Sequence, residues 1–275
     1  MQLPIYVINL DRRPDRWEAI TADLERLGLE ATRIPGVEAV ELIERDKEAR
    51  EKGNSPLLSI NPGSAACMIG HSEALTRLIE SDFPAALILE DDAELASDTP
   101  SLLQSTDWWP EGSLLIRLEH GSGKKRFLRQ VCGATPTGRD LRRLERWMAG
   151  SAAYLVNRRG AAILLDAFRR PTKTVDHTIF NLQVSPTARR LRTAQIVPAM
   201  ARQRRNDESD IAGHRPERKL QGLKLHAYKV GLALKRLPYR TRLLGPRLTG
   251  AVRKMQCPYC DAPPEATARH SRKSN

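Results

Sequence analysis

The feature that most constrains this chain is the run Ala85-Ala86-Leu87-Ile88-Leu89, followed at once by Glu90-Asp91-Asp92. An unbroken apolar run of that length suits a strand buried on both faces, as in a parallel sheet covered by helices. Three carboxylates cannot share that burial, so they belong at the strand's carboxyl tip, where open α/β sheets bind their ligands. Hard divalent cations prefer carboxylate oxygens and are commonly shared between one or two acids and a substrate's phosphates. The acids suit equally well a solvated turn or the first turn of a helix at Ala93-Glu94-Leu95, where the helix dipole favours negative charge.

The flanking pattern repeats the strand-then-helix theme. Pro4 to Leu10 reads as a buried strand, and a helix follows, with Pro14 in its first turn, Trp17, Ile20, Leu24 and Leu27 at helical spacing, and Gly28 at its end. Glu41 to Lys52 reads as exposed helix or loop. Asn61-Pro62-Gly63 breaks the chain, and a second helix is expected from Gly63 to Ser81. Leu114 to Leu118 and Ser151 to Val156 read as further strands, Gly121 to Gly138 as a loop or hairpin, and Arg158 to Phe168 as a helix capped by Asn157. Strands alternating with helices predict an α/β layered fold with a mostly parallel sheet flanked by helices.

Charge divides the chain. Of the net +12, residues 213–256 supply +11, with twelve Lys/Arg against the single acid Glu217, and residues 257–275 supply +1; residues 1–212 are neutral. The expected division is therefore a catalytic domain over 1–212 and a basic, partly amphipathic appendage over 213–275. No run approaches the roughly 20 apolar residues of a membrane span and none resembles a secretory leader, so the expected location is the cytoplasm. There the basic segment would touch the anionic inner face of a membrane. Cys257 and Cys260 have the spacing of a thiol-disulfide site but lack a domain around them. They read as a turn in the tail, or as half of a zinc site with His270 as a third ligand.

Other candidates are less distinctive by themselves. Asn9, Leu10, Asp11, Arg12 and Arg16 gather where the first strand ends, suited to a nucleoside and its phosphates; Asp11 reads equally as a helix cap. His71 reads as a buried structural histidine or as a donor or base in the ligand crevice. Asp176 reads as a cap of a short helix or as the group that deprotonates an acceptor hydroxyl.

In order along residues 3–211, these pieces resemble glycosyltransferase family 25, which includes the bacterial lipooligosaccharide galactosyltransferases and animal collagen galactosyltransferase domains. Tyr6 to Leu10 with Asp15-Arg16 is similar to the family's opening strand. Gly63, Cys67 and His71 resemble its Gly, Cys and Ser-His segment, except that Gly70 stands in place of Ser. Leu87 to Asp92 resembles its acidic signature, Gly150 to Leu155 with Gly160-Ala161 its next block, Asp176 its later Asp, and Pro198, Gln203 and Ser209 its closing residues. The resemblance implies a GT-A-like (Rossmann-like) fold and inverting transfer of a hexose, usually galactose, from a UDP-sugar. The acceptor it implies is a glycan or glycolipid such as lipopolysaccharide. It assigns Glu90, Asp91 and Asp92 to the diphosphate, with Glu90 and Asp92 on a divalent Mn²⁺ or Mg²⁺, Asn9, Leu10 and Arg16 to the nucleotide, His71 to the donor side and Asp176 to the base; Arg12 joins the nucleotide group from its place after the first strand. Two other readings compete: a metal-dependent phosphoesterase built on the same acids, and a nucleic-acid-binding protein using the basic segment. The former lacks the many His and Asp ligands of two-metal hydrolases. The latter has no recognisable binding motif, so no specific nucleic acid is expected.

Overall fold

The computed structural model describes residues 2–52, 60–121, 126–204 and 222–262. Along the chain lie β1 (Ile5–Asn9), α1 (Pro14–Arg26), β2 (Thr32–Pro35), α2 (Ala39–Glu51), α3 (Pro62–Glu80), β3 (Ala85–Glu90) and β4 (Ala93–Leu95). A 3-10 turn at Thr99–Leu103 precedes β5 (Leu115–Arg117), β6 (Arg126–Ala134), β7 (Asp140–Leu144), β8 (Ala153–Asn157) and α4 (Arg158–Phe168). Then come α5 (Val175–Phe180), α6 (Pro186–Leu191), β9 (Ala194–Val197), β10 (Ala201–Gln203), α7 (Gly222–Arg242), α8 (Leu244–Leu248) and β11 (Val252–Met255).

Local chemistry accounts for the boundaries. Pro14 and Pro62 open α1 and α3, where a missing N–H costs nothing, and Asn61 and Asn157 each accept a backbone N–H from the first turn of the helix that follows. Asp11 does not cap α1: Arg13 holds that position without a side-chain bond, and Asp11 pairs with Arg33 at 2.6 Å. The acids after β3 do not start a helix either, because Ala93–Leu95 runs on as a strand paired with β10.

Nine strands form one sheet in the order β11-β6-β7-β9-β5-β8-β3-β1-β2. Six of them, β1 included, run one way, and β8, β7 and β11 run against them. The part carrying the site, β2-β1-β3, is wholly parallel. Alternate residues feed two cores: Ile5, Val7, Leu87 and Leu89 pack on one face with Ile20 and Leu24 of α1, while Tyr6 and Ile88 pack on the other with Leu75 and Leu78 of α3 and Leu164 of α4. From β1 the chain passes to β2 on one side and to β3 on the other, so the crevice beyond their carboxyl ends is the position where such sheets hold ligands.

The C-terminal stretch corrects the sequence reading. Residues 252–261 are not an appendage: β11 extends the main sheet, with Val252 opposite Arg129. Cys257 is buried with its thiol donating to the Ile196 carbonyl, and the Cys260 N–H donates to the Ala199 carbonyl at 3.1 Å. The Cys257–Cys260 pair is thus docked structure rather than a tail turn, and both thiols are free. The charges of Arg253 and Lys254 masked a strand whose inward residue is Val252. His270 lies outside the described residues. Among the described residues no helix is long and apolar enough to cross a membrane.

Candidate active site

A cavity of about 270 Å³ opens beyond β1 and β3, near the roughly 300 Å³ lower end for small-molecule pockets. Its wall takes Leu10, Arg12 and Arg16 from β1 and α1, Gly36 to Ala39 from the β2–α2 turn, Cys67 and His71 from α3, Glu90, Asp91 and Asp92 from the tip of β3, and Gln203 and Arg204 from the end of β10. Seven of the nine residues singled out in the sequence therefore meet here. Asn9 and Asp176 do not line the cavity.

Register explains the meeting. Ile8 lies opposite Glu90 in the parallel pair, so Asn9 and Asp91 emerge side by side. The Asn9 amide donates to Asp91 Oδ2 at 2.9 Å and to the Arg13 carbonyl, and its oxygen accepts from Arg33 at 2.8 Å. Arg16, itself buried, reaches Asp91 Oδ1 at 3.2 Å. Asn9 was expected on the nucleotide and Asp91 on the diphosphate; in the structure their polar atoms join the β1–α1 turn to β3, with Asp91 on the cavity wall. Gly36 lets the β2–α2 turn close over this turn, since a Cβ there would sit 2.9 Å from Leu10 Cδ2. Gly70 has a similar cause: a Cβ would lie 2.6 Å from Ile8 Cγ2, which accounts for glycine where the resemblance predicts serine.

The three acids are not equivalent. Glu90 Oε1 accepts from Ser151 at 2.6 Å and faces His71 Nε2 at 3.3 Å, while His71 Nδ1 is hydrogen-bonded to the Tyr154 hydroxyl at 2.9 Å. Burial alone would raise the Glu90 carboxyl, but the bonds and charge of His71, with Ser151 and Arg16, hold it below the usual range. Asp92 has no such support. Its Oδ1 is buried without a partner, and burial, reinforced by the charges of Glu90 and Asp91, pushes its pKa up to about 8. A buried, unpaired carboxyl group beside two others offers oxygens that could hold a hard cation. Cys67 Sγ, a His71 nitrogen and a Glu90 oxygen also lie within 4.8 Å of one another. His71 and Glu90 already face each other, and a thiol is a soft ligand, so the oxygens of Asp92 and Glu90 suit a hard ion better.

The sequence reading missed Glu119 and Arg204, and had Gln203 only as one of the closing residues of the resemblance. Glu119 is buried beyond β5; burial, with the charges of Glu90 and Asp176, raises its pKa to about 7 against the pull of Arg117 at 3.1 Å. It follows a predicted strand as Glu90 follows its own, and the same strand-tip logic finds it. Gly150, at φ +92, is required beside it, for a Cβ there would lie 2.2 Å from Glu119 Oε1. Arg204 donates its backbone N–H to the Asp92 carbonyl and pairs with Asp23. Its position depends on the β4–β10 ribbon, which no local pattern announces. Asp176, in the first turn of α5, accepts from the Thr174 hydroxyl at 2.5 Å, and its charge adds to those that raise Cys67 and Glu119.

A family model described as glycosyltransferase family 25 (LPS biosynthesis protein) matches residues 2–179, which include β1, α3, β3 and the acids. The chain belongs to glycosyltransferase family 25. This family 25 member is a glycosyltransferase by that match. No curated protein matches it. Among solved structures, this family 25 chain is similar to a glycosyltransferase involved in the glycosylation of the major capsid of PBCV-1, at 11% identity, 74% of this chain, 94% of that one and a TM-score of 0.38. It is also similar to mannose-1-phosphate geranyltransferase from Thermus thermophilus, at 13% identity, 73% and 75% coverage and a TM-score of 0.36.

Proposed function

We propose that this family 25 glycosyltransferase moves a hexose, galactose by preference, from a UDP-sugar to a hydroxyl of a glycan or glycolipid such as lipopolysaccharide, with inversion. The observation that carries this reading is the buried, partnerless oxygen of Asp92 at the strand tip, inside a cavity that also presents Arg12, Arg16 and Arg204. Asp92 and Glu90 would hold Mn²⁺ or Mg²⁺, which supplies neutralisation of the departing diphosphate. Leu10 gives the base and ribose an apolar contact, and the arginines give the phosphates paired donors. His71, fixed between Tyr154 and Glu90, lines the donor side and keeps the Glu90 carboxylate aimed.

Asp176 is the proposed base. It does not line the donor cavity, but its charge is felt at Cys67 on the cavity wall, and the Thr174 hydroxyl orients it. In the reaction Asp176 takes the proton of the acceptor hydroxyl while that oxygen bonds to the anomeric carbon. The bond from this carbon to the UDP oxygen breaks with its electrons going to UDP. A thermal-shift screen of UDP-sugars with and without Mn²⁺ tests the whole reading. One donor should stabilise the protein only when the cation is present. Equal stabilisation without the cation, or no response to any UDP-sugar, would discard it.

A further inference from the structure

Five of the nine large apolar side chains exposed among the described residues fall on the two C-terminal helices: Val230, Leu234 and Leu237 of α7, and Leu244 and Leu248 of α8. Leu234 is 63% and Leu248 88% exposed. Positions 230, 234 and 237 follow the i, i+4, i+7 spacing and form one stripe. Tyr239 and Leu243 project about 180° away around the helix axis and are buried; the Tyr239 hydroxyl donates to Glu145 Oε2 at 3.0 Å. The helix is therefore anchored to the protein by one face and turns a second apolar face outward.

Charge identifies what that face meets. Residues 230–255 carry seven Lys/Arg and no Asp or Glu, and Arg240, Arg242, Arg247, Arg253 and Lys254 are exposed. We propose that the α7–α8 face docks onto an anionic lipid bilayer, its leucines entering the headgroup boundary and its cations facing the lipid phosphates. A nucleic acid would engage the cations and leave the leucines in water. A second copy of the chain would set seven Lys/Arg against seven more with no acid between them. The assignment is independent of the donor chemistry, since none of these residues lines the cavity.

Flotation of the full chain with vesicles tests it, comparing pure phosphatidylcholine with vesicles of about one third phosphatidylglycerol. The protein should float with the anionic vesicles and stay behind with the neutral ones. Two variants separate the contributions, Leu234→Gln with Leu248→Gln and Arg240→Gln with Arg242→Gln. Each should weaken binding by about tenfold while leaving the melting temperature unchanged, because all four side chains are exposed. Failure of the unaltered chain to float overturns the proposal, as does a leucine variant that binds as tightly as the parent. Sedimentation velocity supplies the remaining arm: a dimer that the leucine variant converts to monomer assigns the face to a second copy and overturns the proposal as well.

Discussion

Asp92 carries a cost that its neighbours do not. Glu90 is held by His71 and Ser151 and Asp91 by Asn9 and Arg16, whereas the Asp92 charge sits in a desolvated position among other acids. Removing that charge relieves the protein and disables the site. Asp92→Asn should therefore lose turnover by at least about 100-fold, yet raise the metal-free melting temperature, by on the order of 1 kcal/mol or about 3 °C. Calorimetric melting beside a transfer assay checks both, and a lower melting temperature would contradict the repulsion argument. Glu119 gives a second, pH-dependent test. Its folded pKa, about 7, lies above that of a free carboxylate, so the stability it contributes is complete at low pH and declines as pH rises through 7. The glutamine of Glu119→Gln mimics the protonated acid, so the variant's melting temperature relative to the parent should rise by a few degrees from pH 5 to 8. A constant difference would refute this. Of the nine residues proposed from the sequence, seven line the cavity: six lie at or just after the tips of β1 and β3, where the strand pattern points, and His71 comes from α3. The partner that occupies each side chain was not legible: nothing local says that Asn9 and Asp91 bind each other across 82 positions.

At the scale of elements, α4 shows how two positions three residues apart can fail differently. Asn157 caps the helix by accepting the Gly160 N–H at 2.8 Å, and its loss in Asn157→Ala should cost about 1 kcal/mol. Gly160 lets the first turn of α4 approach the Leu114 carbonyl, which would lie 2.5 Å from an added Cβ. Backbone cannot yield as a side-chain end does, so Gly160→Ala should cost more, about 2–3 kcal/mol. Denaturant melts of the two variants decide the order, and the reverse ranking would show that helix and strand are not in firm contact. The cap of α4 and the limits of α1 and α3 were legible, being written in Pro, Asn and helical periodicity. The strands β4 and β10 were not, since each is three residues long and is held by distant partners, β4 by β10 and β10 also by Glu119.

For the molecule as a whole, the sequence division at residue 213 fails because the sheet does not end there. Residues 252–261 complete it, and buried Arg139 donates to Asp98 and also to the Asp261 carbonyl at 3.2 Å. A chain ending at residue 250 should consequently melt at a lower temperature and aggregate through the uncovered β6, as turbidity during heating would reveal. Melting identical to the full chain would restore the view of an appendage. The charge surplus that suggested one was real, but Arg253 and Lys254 point to opposite faces of β11 and both stay exposed, so no alternation betrays the strand and Val252 is its one buried residue.

The pairing of β6 with β11 also sets a timetable for biosynthesis. Leu128 must wait for Arg253, a partner 125 positions later in translation. At about 5–20 residues per second the nascent chain spends roughly 6–25 seconds with that flank open, a window that slow, long-range pairing does not shorten. Yield from a crowded ribosome population will depend on what shields β6 during those seconds.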